Sequence, residues 1–250
     1  NMNKLVQKFK AEYADFKMLL RNVPSSMMAL FTISVVLMNL LANKSVDTNT
    51  TWLALDCGFT LSWLSFLSMD MLTKRFGAKA SIKLSLFAMG VNLIACAIFY
   101  IVSIVPGWWG EYYTFGNSDI VNIALNNTIG GTWYVLLGSA IAFIISAVVN
   151  SVLNESIGKL LKHNDFKAYA VRSYVSTAIG QFVDNFVFAL IVSHTFFGWT
   201  MIQCVTCAIT GAVIELVCEI IFSPIGYKVC KKWESENVGE LYFKFKKEAK

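Results

Sequence analysis

Four acidic side chains lie within long apolar stretches of this sequence, where an ionisable group is unexpected: Asp70, Asp184, Glu215 and Glu219. Placing such a group in hydrocarbon costs at least about 2.5 kcal/mol, so it normally faces the interior of a helix bundle or a water-filled path. The chemistry that these acids offer is binding of a proton, of a cation or of the hydrogen-bond donors of a ligand.

Glu215 and Glu219 are one helical turn apart. In a poor dielectric, two neighbouring carboxylates do not both stay ionised unless a cation separates them, so we expect a proton, a sodium ion or a basic side chain there. Arg172 and Lys83 are the candidate basic partners. Two interpretations stay open: a buried Glu–Arg clamp between helices, and contact with a coupling ion or a substrate.

Asp70 and Asp184 differ in their surroundings. Asp70 precedes Lys74 by one turn near the end of its apolar stretch, so an interfacial i,i+4 ion pair is as good an interpretation as a functional one. Asp184 lies twelve residues beyond Arg172, which is about 18 Å along a helix. It therefore falls near mid-membrane, with no charged partner in its own helix.

The segment around Asp184 carries further polar residues on the same side. In a helix, Thr177, Gln181, Asp184 and Phe188 fall at i, i+4, i+7 and i+11, which places them on one face. A polar stripe on an otherwise apolar helix requires a polar neighbour or a ligand.

The composition indicates an all-α integral membrane protein. Apolar residues make up 56% of the chain and charged residues 15%, and the mean hydropathy is +0.57, which lies outside the range of an ordinary soluble domain. The net charge of +5 is spread between the apolar runs, whereas a nucleic-acid-binding protein concentrates it in a basic patch or stripe. We therefore expect no nucleic-acid partner.

Six apolar runs have the length of about twenty residues that a membrane-spanning helix needs. They cover residues 24–43, 51–72, 81–104, 131–154, 169–193 and 199–222, and Pro224 and Gly226 mark the end of the last one. This divides the chain into an amphipathic segment 1–23, a transmembrane domain 24–224 and a charged tail 225–250. The basic start followed by a run of spanning length is not typical of a cleaved signal peptide.

The polar ends of these runs predict how the chain meets the membrane. Residues 3–22 predict an amphipathic helix on the membrane surface, and the aromatic loop at 106–113 suits the headgroup region. Twenty of the 21 Lys and Arg residues lie in 1–23, 73–83, 159–172 and 225–250. Because cytoplasmic loops carry such an excess, we predict six transmembrane helices with both termini in the cytoplasm.

No residue pattern predicts a catalytic residue, a metal site or a cofactor. The sequence has no His-Glu-x-x-His, nucleophile elbow or phosphate loop, and its two histidines, His163 and His194, are expected at opposite membrane faces. Cys204-x-x-Cys207 has redox spacing but lies in mid-span without a second pair, so we interpret both cysteines as packing residues. Binding and translocation are favoured over an enzymatic reaction.

The order and spacing of these residues resemble the YhhQ-type vitamin uptake transporter family over residues 30 to 235. The resemblance is carried by Asp70-x-x-x-Lys74-Arg75-Phe76-Gly77-Ala78, by Ser176-Thr177-x-x-Gly180-Gln181-x-x-Asp184-x-x-x-Phe188, and by Glu219-x-x-x-x-Pro224-x-x-Tyr227. It implies a multi-pass protein of the prokaryotic inner membrane that takes up a queuosine precursor: 7-cyano-7-deazaguanine, its aminomethyl analogue, or queuine.

Two positions depart from the family pattern. A lysine usually stands nine residues before the proline, where this chain has Glu215, and a small hydroxyl residue is common where it has Asn185. Both changes fall in or beside the expected site. They could indicate a deazapurine that carries a positive amine, or a changed coupling ion.

The candidate residues suit such a ligand. A deazaguanine presents two donors on its pairing edge, which a carboxylate accepts, and a carbonyl to which an amide or hydroxyl donates. We therefore predict a substrate site formed by Asp184, Gln181, Asn185, Thr177, Asn39, Glu215, Phe188 and Trp63. Asp70, Arg172, Glu215 and Glu219 are predicted to bind a coupling ion or to form charge pairs.

The resulting expectation is a secondary transporter in the lipid bilayer that is driven by H+ or Na+, without a cofactor, and compatible with a homodimer. Two alternatives stay open. One is a substrate-capturing membrane subunit that needs a partner ATPase. The other is a membrane scaffold or a lipid-modifying enzyme, in which the embedded acids only hold helices together.

Overall fold

The computed structural model describes residues 2–109, 118–131, 133–161 and 163–248, and this part of the chain is helical without a named strand. Residues 110–113 of the predicted aromatic loop lie outside the described residues. The helices are α1 (Met2–Asn22), α2 (Ser25–Leu41), α3 (Phe59–Phe76), α4 (Ala78–Ile104), α5 (Ser118–Ile129), α6 (Trp133–Leu160), α7 (Phe166–Phe188), α8 (Met201–Ser235) and α9 (Glu240–Glu248). A π-helical segment, Ala189–His194, continues α7.

Four helical stretches of the described chain are long and apolar enough to cross a membrane by themselves. They are α4, α6 together with most of α5, α7 with its π-helical segment, and α8. A fifth span is counted if α1 and α2, which meet at a bend of 106°, are taken together. The structure thus confirms an all-helical chain with four or five candidate spans, and the count of six stays a prediction.

Helix α3 accounts for part of this difference. It has 18 residues, and three of them are charged: Asp70, Lys74 and Arg75. Yet α3 packs against α2, α4, α6, α7 and α8, and eleven of its residues are buried. Serines such as Ser62, Ser65 and Ser68 are among them, and small residues of this kind let helices approach closely. A helix that buries most of its surface against other helices does not need an apolar surface all round.

The start of α3 differs from the prediction. A helix was expected from residue 51, but residues 44–58 form a folded link, in which the N–H of Val46 donates to the carbonyl of Leu55 (2.8 Å). Asn49 has a positive φ of 53°, a conformation that asparagine adopts more readily than most residues. Asp56 ends the link, and its carboxylate accepts from the N–H of Gly58 at 2.8 Å. Asp56 therefore forms a local side-chain turn with Gly58 directly before α3 begins.

The sequence predicted that the last span ends at Pro224, but helix α8 continues to Ser235. Proline lacks the N–H that would bond the carbonyl four residues earlier, here that of Ile220. The hydroxyl of Ser223 donates to this carbonyl instead, at 3.1 Å, and is itself within 2.7 Å of the Tyr174 hydroxyl. The helix therefore passes through Pro224, and the predicted boundary between transmembrane domain and tail falls inside it.

Helix α1 is amphipathic, as predicted, and packs against α4 and α9. Lys83 of α4 forms ion pairs with Glu12 (2.5 Å) and Asp15 of α1, so it does not partner Glu215 or Glu219, and that prediction was wrong. Helix α1 also exposes Leu5, Phe9 and other large apolar side chains. Its location on the membrane surface stays a prediction.

The replacement Ser223→Ala tests the bridge across Pro224. It leaves the carbonyl of Ile220 and the hydroxyl of Tyr174 without this partner inside the bundle, which costs about 1–3 kcal/mol per group. We expect a lower melting temperature of the purified protein in detergent. Ser235 donates to the carbonyl of Lys232 at 2.9 Å in the same way, but it is exposed. Ser235→Ala is therefore the matched control, and equal effects of the two replacements would contradict the interpretation.

Acidification tests how α1 is held. Hydrogen bonds from Lys83 and then Lys79 lower the pKa of Glu12 to about 2. A carboxyl whose pKa is lowered on folding contributes stability above its ordinary pKa, and this contribution is lost as the pH falls toward the folded value. As the pH is lowered from about 6 to about 3, we therefore expect hydrogen exchange in α1 to become faster, after the rates are corrected for the intrinsic pH dependence of exchange.

Glu12→Gln should reduce this change, because the ion pairs of residue 12 with Lys79 and Lys83 are then absent at every pH, while Asp15 still pairs with Lys83. Glu248 is an exposed glutamate at the end of α9, so Glu248→Gln is the control. A pH response that is the same in all three proteins would show that Glu12 does not hold α1.

Candidate functional site

Helix α7 places its polar stripe toward the bundle interior, but the stripe serves two separate clusters. Thr177, Gln181 and Phe188 are buried and Asp184 is half-buried. Thr177 contacts the carboxylate of Asp70. Asp184 and Phe188, two to three turns further along the helix, line a small cavity.

This cavity has a volume of about 20 Å³, which is enough for a water molecule or two. It lies among α2, the start of α3, α6, α7 and α8. Its lining includes five of the eight predicted substrate residues, together with Asp56, Ser62 and Ser139 and three apolar positions: Met38, Asn39, Ala42, Asp56, Gly58, Ser62, Ser139, Asp184, Asn185, Phe188 and Glu215. We refer to Asn39, Asp56, Asp184, Asn185 and Glu215 as the cavity cluster.

Three carboxyl groups meet at this cavity, and each accepts a hydrogen bond from the protein. Asp184 accepts from the hydroxyl of Ser146 at 2.8 Å, and Glu215 accepts from the amide of Asn185 at 3.2 Å. Asp56 accepts from Gly58, as described above. The ion pairs found among the described residues include none of these carboxyls. They are also not arranged to hold a metal ion, and no such group of His, Cys, Asp or Glu occurs in the described chain.

Three buried polar atoms in and beside the cavity have no hydrogen-bond partner: Asn39 Nδ2, Glu215 Oε1 and Gln181 Nε2. The other end of each amide is occupied, since Ser139 donates to Asn39 Oδ1 and Ser62 donates to Gln181 Oε1 at 2.9 Å. A buried group that lacks its partner costs about 1–3 kcal/mol. Two amide donors and one carboxyl acceptor are therefore available to a molecule that enters here.

Trp63 does not belong to this site, although it was predicted to. Its ring stacks on Phe222 with centroids 4.5 Å apart and planes at 15°. It lines a different, apolar groove of about 310 Å³ together with residues such as Leu30 and Ile225. Trp63 lies on the side of α3 that faces this groove, because the cavity side of the helix is taken by Ser62.

Asp70 is the centre of the second cluster. The interpretation that it forms an ion pair with Lys74 is wrong. Asp70 is fully buried and accepts from the amide of Asn150 (2.8 Å) and the hydroxyl of Ser173 (2.5 Å). Lys74 instead extends toward the protein surface, where its ammonium pairs with Glu234 at 3.4 Å. A long lysine side chain can carry its charge out of an apolar region in this way.

Arg172 does not bind Glu215 or Glu219 either. Its Nε and Nη2 donate to the side-chain oxygen of Asn154 at 2.8 and 2.6 Å. Gly158 makes room for the guanidinium, because a Cβ at that position would lie 2.5 Å from Arg172 Nη1. The predicted Glu–Arg clamp is therefore absent from the described structure.

Several residues of these clusters were missed by sequence reasoning. Asp56 was not among the predicted site residues. Helix α6 supplies Ser139, Ser146, Asn150 and Asn154, all buried. Their spacing of seven, four and four residues places them on one face of an otherwise apolar helix, which is the signal that could have identified them.

These helices, with carboxyl and amide groups enclosed among them, are those of a multi-pass membrane protein. The chain belongs to the vitamin uptake transporter family, whose family model matches residues 56–229. The match covers α3 to α7 and most of α8, and so contains both clusters except Asn39. Comparison with curated proteins and with solved structures returns no match. Family and helices together indicate a membrane transporter of vitamin-like compounds.

The contact between Asn185 and α8 can be tested at Gly211. A Cβ at Gly211 would lie 2.6 Å from Asn185 Nδ2, the atom that donates to Glu215. Gly211→Ala should therefore displace Asn185 and lower the stability by about 1–3 kcal/mol, measured by thermal unfolding. Adding Asn185→Ser should recover part of the loss, because serine is smaller.

Gly90 in α4 provides the control. Nothing lies within 4 Å of a Cβ at Gly90, and alanine is the better helix former. Gly90→Ala should leave the stability unchanged or raise it. If Asn185→Ser changes the stability by the same amount with and without Gly211→Ala, the two residues are not coupled.

Proposed function

We propose that this protein is a secondary transporter that imports a queuosine precursor of the 7-deazaguanine class across the cytoplasmic membrane of a prokaryote. Membership of the vitamin uptake transporter family supports transport. The motifs around Asp70, Thr177–Phe188 and Glu219 that resemble the YhhQ-type proteins support the substrate class. The observation that carries the proposal is the cavity cluster, with its carboxyls and its unpartnered amide groups.

The polar groups of the cavity match those of the base. The carboxylate of Asp184 can accept both donors of the pairing edge, as a carboxylate accepts a bidentate donor. Asn39 Nδ2, which has no partner, can donate to the ring carbonyl, and Phe188 can cover one face of the ring. Recognition of this kind rejects compounds that lack a donor or acceptor, because a buried group is then left unpaired.

Glu215 gives a reason to include the aminomethyl analogue. Its Oε1 is buried and has no partner, and the ion pairs of the described chain provide no cation for it. The ammonium of an aminomethyl group would supply one, and an ion pair with full hydrogen bonding is the usual state of a buried charge. We therefore expect the aminomethyl compound to bind more tightly than the cyano compound.

A cavity of about 20 Å³ is too small for a bicyclic base, so the helices around it separate when the substrate enters. The π-helical segment that follows Phe188 directly is a suitable place for such a change, since π-helical turns are frequent at functional sites. Alternation between a closed and an open cavity is the motion that a carrier needs.

The proposal includes six transmembrane helices with both ends in the cytoplasm. The buried position of α3 supports counting it as a span, since a helix enclosed by α2, α4, α6, α7 and α8 has little contact with lipid. The concentration of Lys and Arg in 1–23, 73–83, 159–172 and 225–250 supports the orientation.

Asp184→Asn is the direct test of the proposed base recognition. The replacement keeps the size of the side chain but puts an amide donor opposite a donor of the base. Uptake of a labelled deazaguanine by cells should fall by at least roughly tenfold, the equivalent of one lost hydrogen bond to a charged group. The amount of protein in the membrane should not change.

Asp47 lies in the exposed part of the 44–58 link, so Asp47→Asn makes the same chemical change outside the site and should transport normally. Undiminished uptake by Asp184→Asn would overturn the assignment. Purified protein in liposomes distinguishes the alternatives. Unaided transport excludes a requirement for a partner ATPase, and the absence of any melting-temperature shift with a panel of deazapurines would favour a scaffold.

A further inference from the structure

The Asp70 cluster contains a second pair of carboxyl groups that the proposed substrate recognition does not use. The hydroxyl of Ser173 contacts Asp70 Oδ2 at 2.5 Å, and the same hydroxyl is hydrogen-bonded to Glu219 Oε1. Asp70, Ser173 and Glu219 are each fully buried. One serine of α7 thus lies between a carboxyl of α3 and a carboxyl of α8.

The number of protons in this arrangement is limited. A serine hydroxyl has one proton and can donate one hydrogen bond. It therefore cannot donate to Asp70 and to Glu219 at the same time. For both contacts to be hydrogen bonds, one of the two carboxyl groups must carry a proton and donate to Ser173.

The surroundings identify which carboxyl carries it. Asp70 is within hydrogen-bonding distance of three donors, namely Asn150 Nδ2, Ser173 Oγ and Thr177 Oγ1. The hydroxyl of Ser176 is 3.4 Å away and donates at 3.0 Å to the carbonyl of Ser173 instead. Donors directed at a carboxylate stabilise its charged form. Glu219 contacts Ser173 and shares Thr177 with Asp70, its own carboxyl neighbour. It has no counterpart of the Asn150 amide, and its Oε2 is buried without a hydrogen-bond donor. The proton therefore resides on Glu219.

No basic side chain forms an ion pair with Asp70 or Glu219 among the described residues. The cation that acts on Asp70 is Arg172 of α7, whose guanidinium is hydrogen-bonded to Asn154, and Tyr169 of α7 and Cys230 of α8 are further titratable neighbours. Lys74 of α3 is paired with Glu234. One cation offsets at most one of two negative charges, so a proton on the other carboxyl completes the site.

The geometry points to a proton-binding site at Asp70 and Glu219, in which one proton is held on Glu219 and can pass through Ser173 to Asp70. In that step Glu219 gives its proton to the Ser173 oxygen while Ser173 gives its own to Asp70. Glu219 then becomes a carboxylate and Asp70 a neutral acid. The site takes up one proton from water and later releases one.

The role we assign to this proton site is to couple uptake to a proton gradient, and that role rests on the proposed transport function. Glu219 lies one turn from Glu215 of the cavity cluster, and Thr177 lies one turn from Gln181, so the two sites are about 6 Å apart along both helices. Movement of α8 relative to α7 that opens the cavity must also change the distance between Glu219 and Ser173. Substrate and proton are thereby linked through one helix.

A first experiment needs no substrate. A protonated carboxyl group has an infrared C=O stretch that a carboxylate lacks, and this band shifts in D2O. At neutral pH we expect the difference between wild type and Glu219→Gln to show one such band. Glu236→Gln, an exposed glutamate at the end of α8, should show none. No band, or an equal band for Glu236→Gln, would overturn the inference.

The asymmetry of the pair gives a second readout. Glutamine resembles a protonated glutamate and can donate to Ser173, so Glu219→Gln should keep the melting temperature of the wild type. Asp70→Asn should lower it, because it removes the charge to which the surrounding donors are directed. The opposite order would place the proton on Asp70 and contradict the assignment to Glu219.

The transport experiment uses protein in liposomes and labelled 7-cyano-7-deazaguanine. A gradient of about one pH unit, acid outside, should drive up to about tenfold accumulation if one proton enters with each substrate. A protonophore should abolish it. Glu219→Gln and Ser173→Ala should both lose accumulation, while the substrate still shifts the melting temperature of Glu219→Gln.

The outcomes separate the two proposals. If wild type neither binds nor transports the deazaguanine, the proposed function fails, and the infrared experiment still decides on the proton. If wild type accumulates it without a pH gradient, or with a sodium gradient alone, the proton site fails as the coupling site. If the deazaguanine no longer shifts the melting temperature of Glu219→Gln, Glu219 binds the substrate, and the inference of a separate proton site is overturned.

Discussion

The structure depends on one constraint, which is that carboxyl groups inside a membrane protein must be neutralised or surrounded by donors. Asp70, Asp184, Glu215 and Glu219 have no basic partner among the described ion pairs. Their environment consists of hydroxyl and amide groups from α3, α6 and α7. Neutral donors of this kind leave room for a proton or a ligand, whereas a fixed arginine would occupy the site permanently.

Close helix packing makes this arrangement possible. Gly180 on α7 has Phe66 of α3 and Asn150 of α6 so near that a Cβ would lie 2.8 and 3.0 Å from them. At Gly226 on α8 a Cβ would lie 2.8 Å from the hydroxyl of Tyr169. Backbones that approach this closely let short side chains such as serine reach across the interface. The polar clusters therefore depend on the small residues that bring the helices together.

Much of the helical architecture could be predicted from the sequence, because apolar runs of spanning length have few other solutions in a membrane. The residues of α7 were also expected on one face, which follows from helical periodicity alone. The sequence predicted a link only as far as residue 50. Its continuation to residue 58 was not predicted, since Trp52, Leu53 and Leu55 gave that part an apolar character. The continuation of α8 through Pro224 could not be predicted either, because it depends on the hydroxyl of Ser223.

The partners of long side chains were the least predictable part of the site. Arg172 and Lys83 were assigned to the buried glutamates, yet they bind Asn154 and the acids of α1. A lysine or arginine can direct its charge over several ångströms, so sequence position does not decide which acid it meets. Trp63 shows the same limitation for an aromatic residue, because its neighbour Ser62 takes the cavity side of α3.

The length of α8 has a mechanical consequence. Its 35 residues extend over roughly 52 Å, about 20 Å more than the hydrocarbon layer of a bilayer. The part beyond Pro224 continues the helix for about 17 Å, and Ser235 at its tip is exposed. A tilt of roughly 10° about the proline would displace its tip by about 3 Å. A spectroscopic label near Ser235 would thus report, from the aqueous phase, on rearrangements of the buried helices.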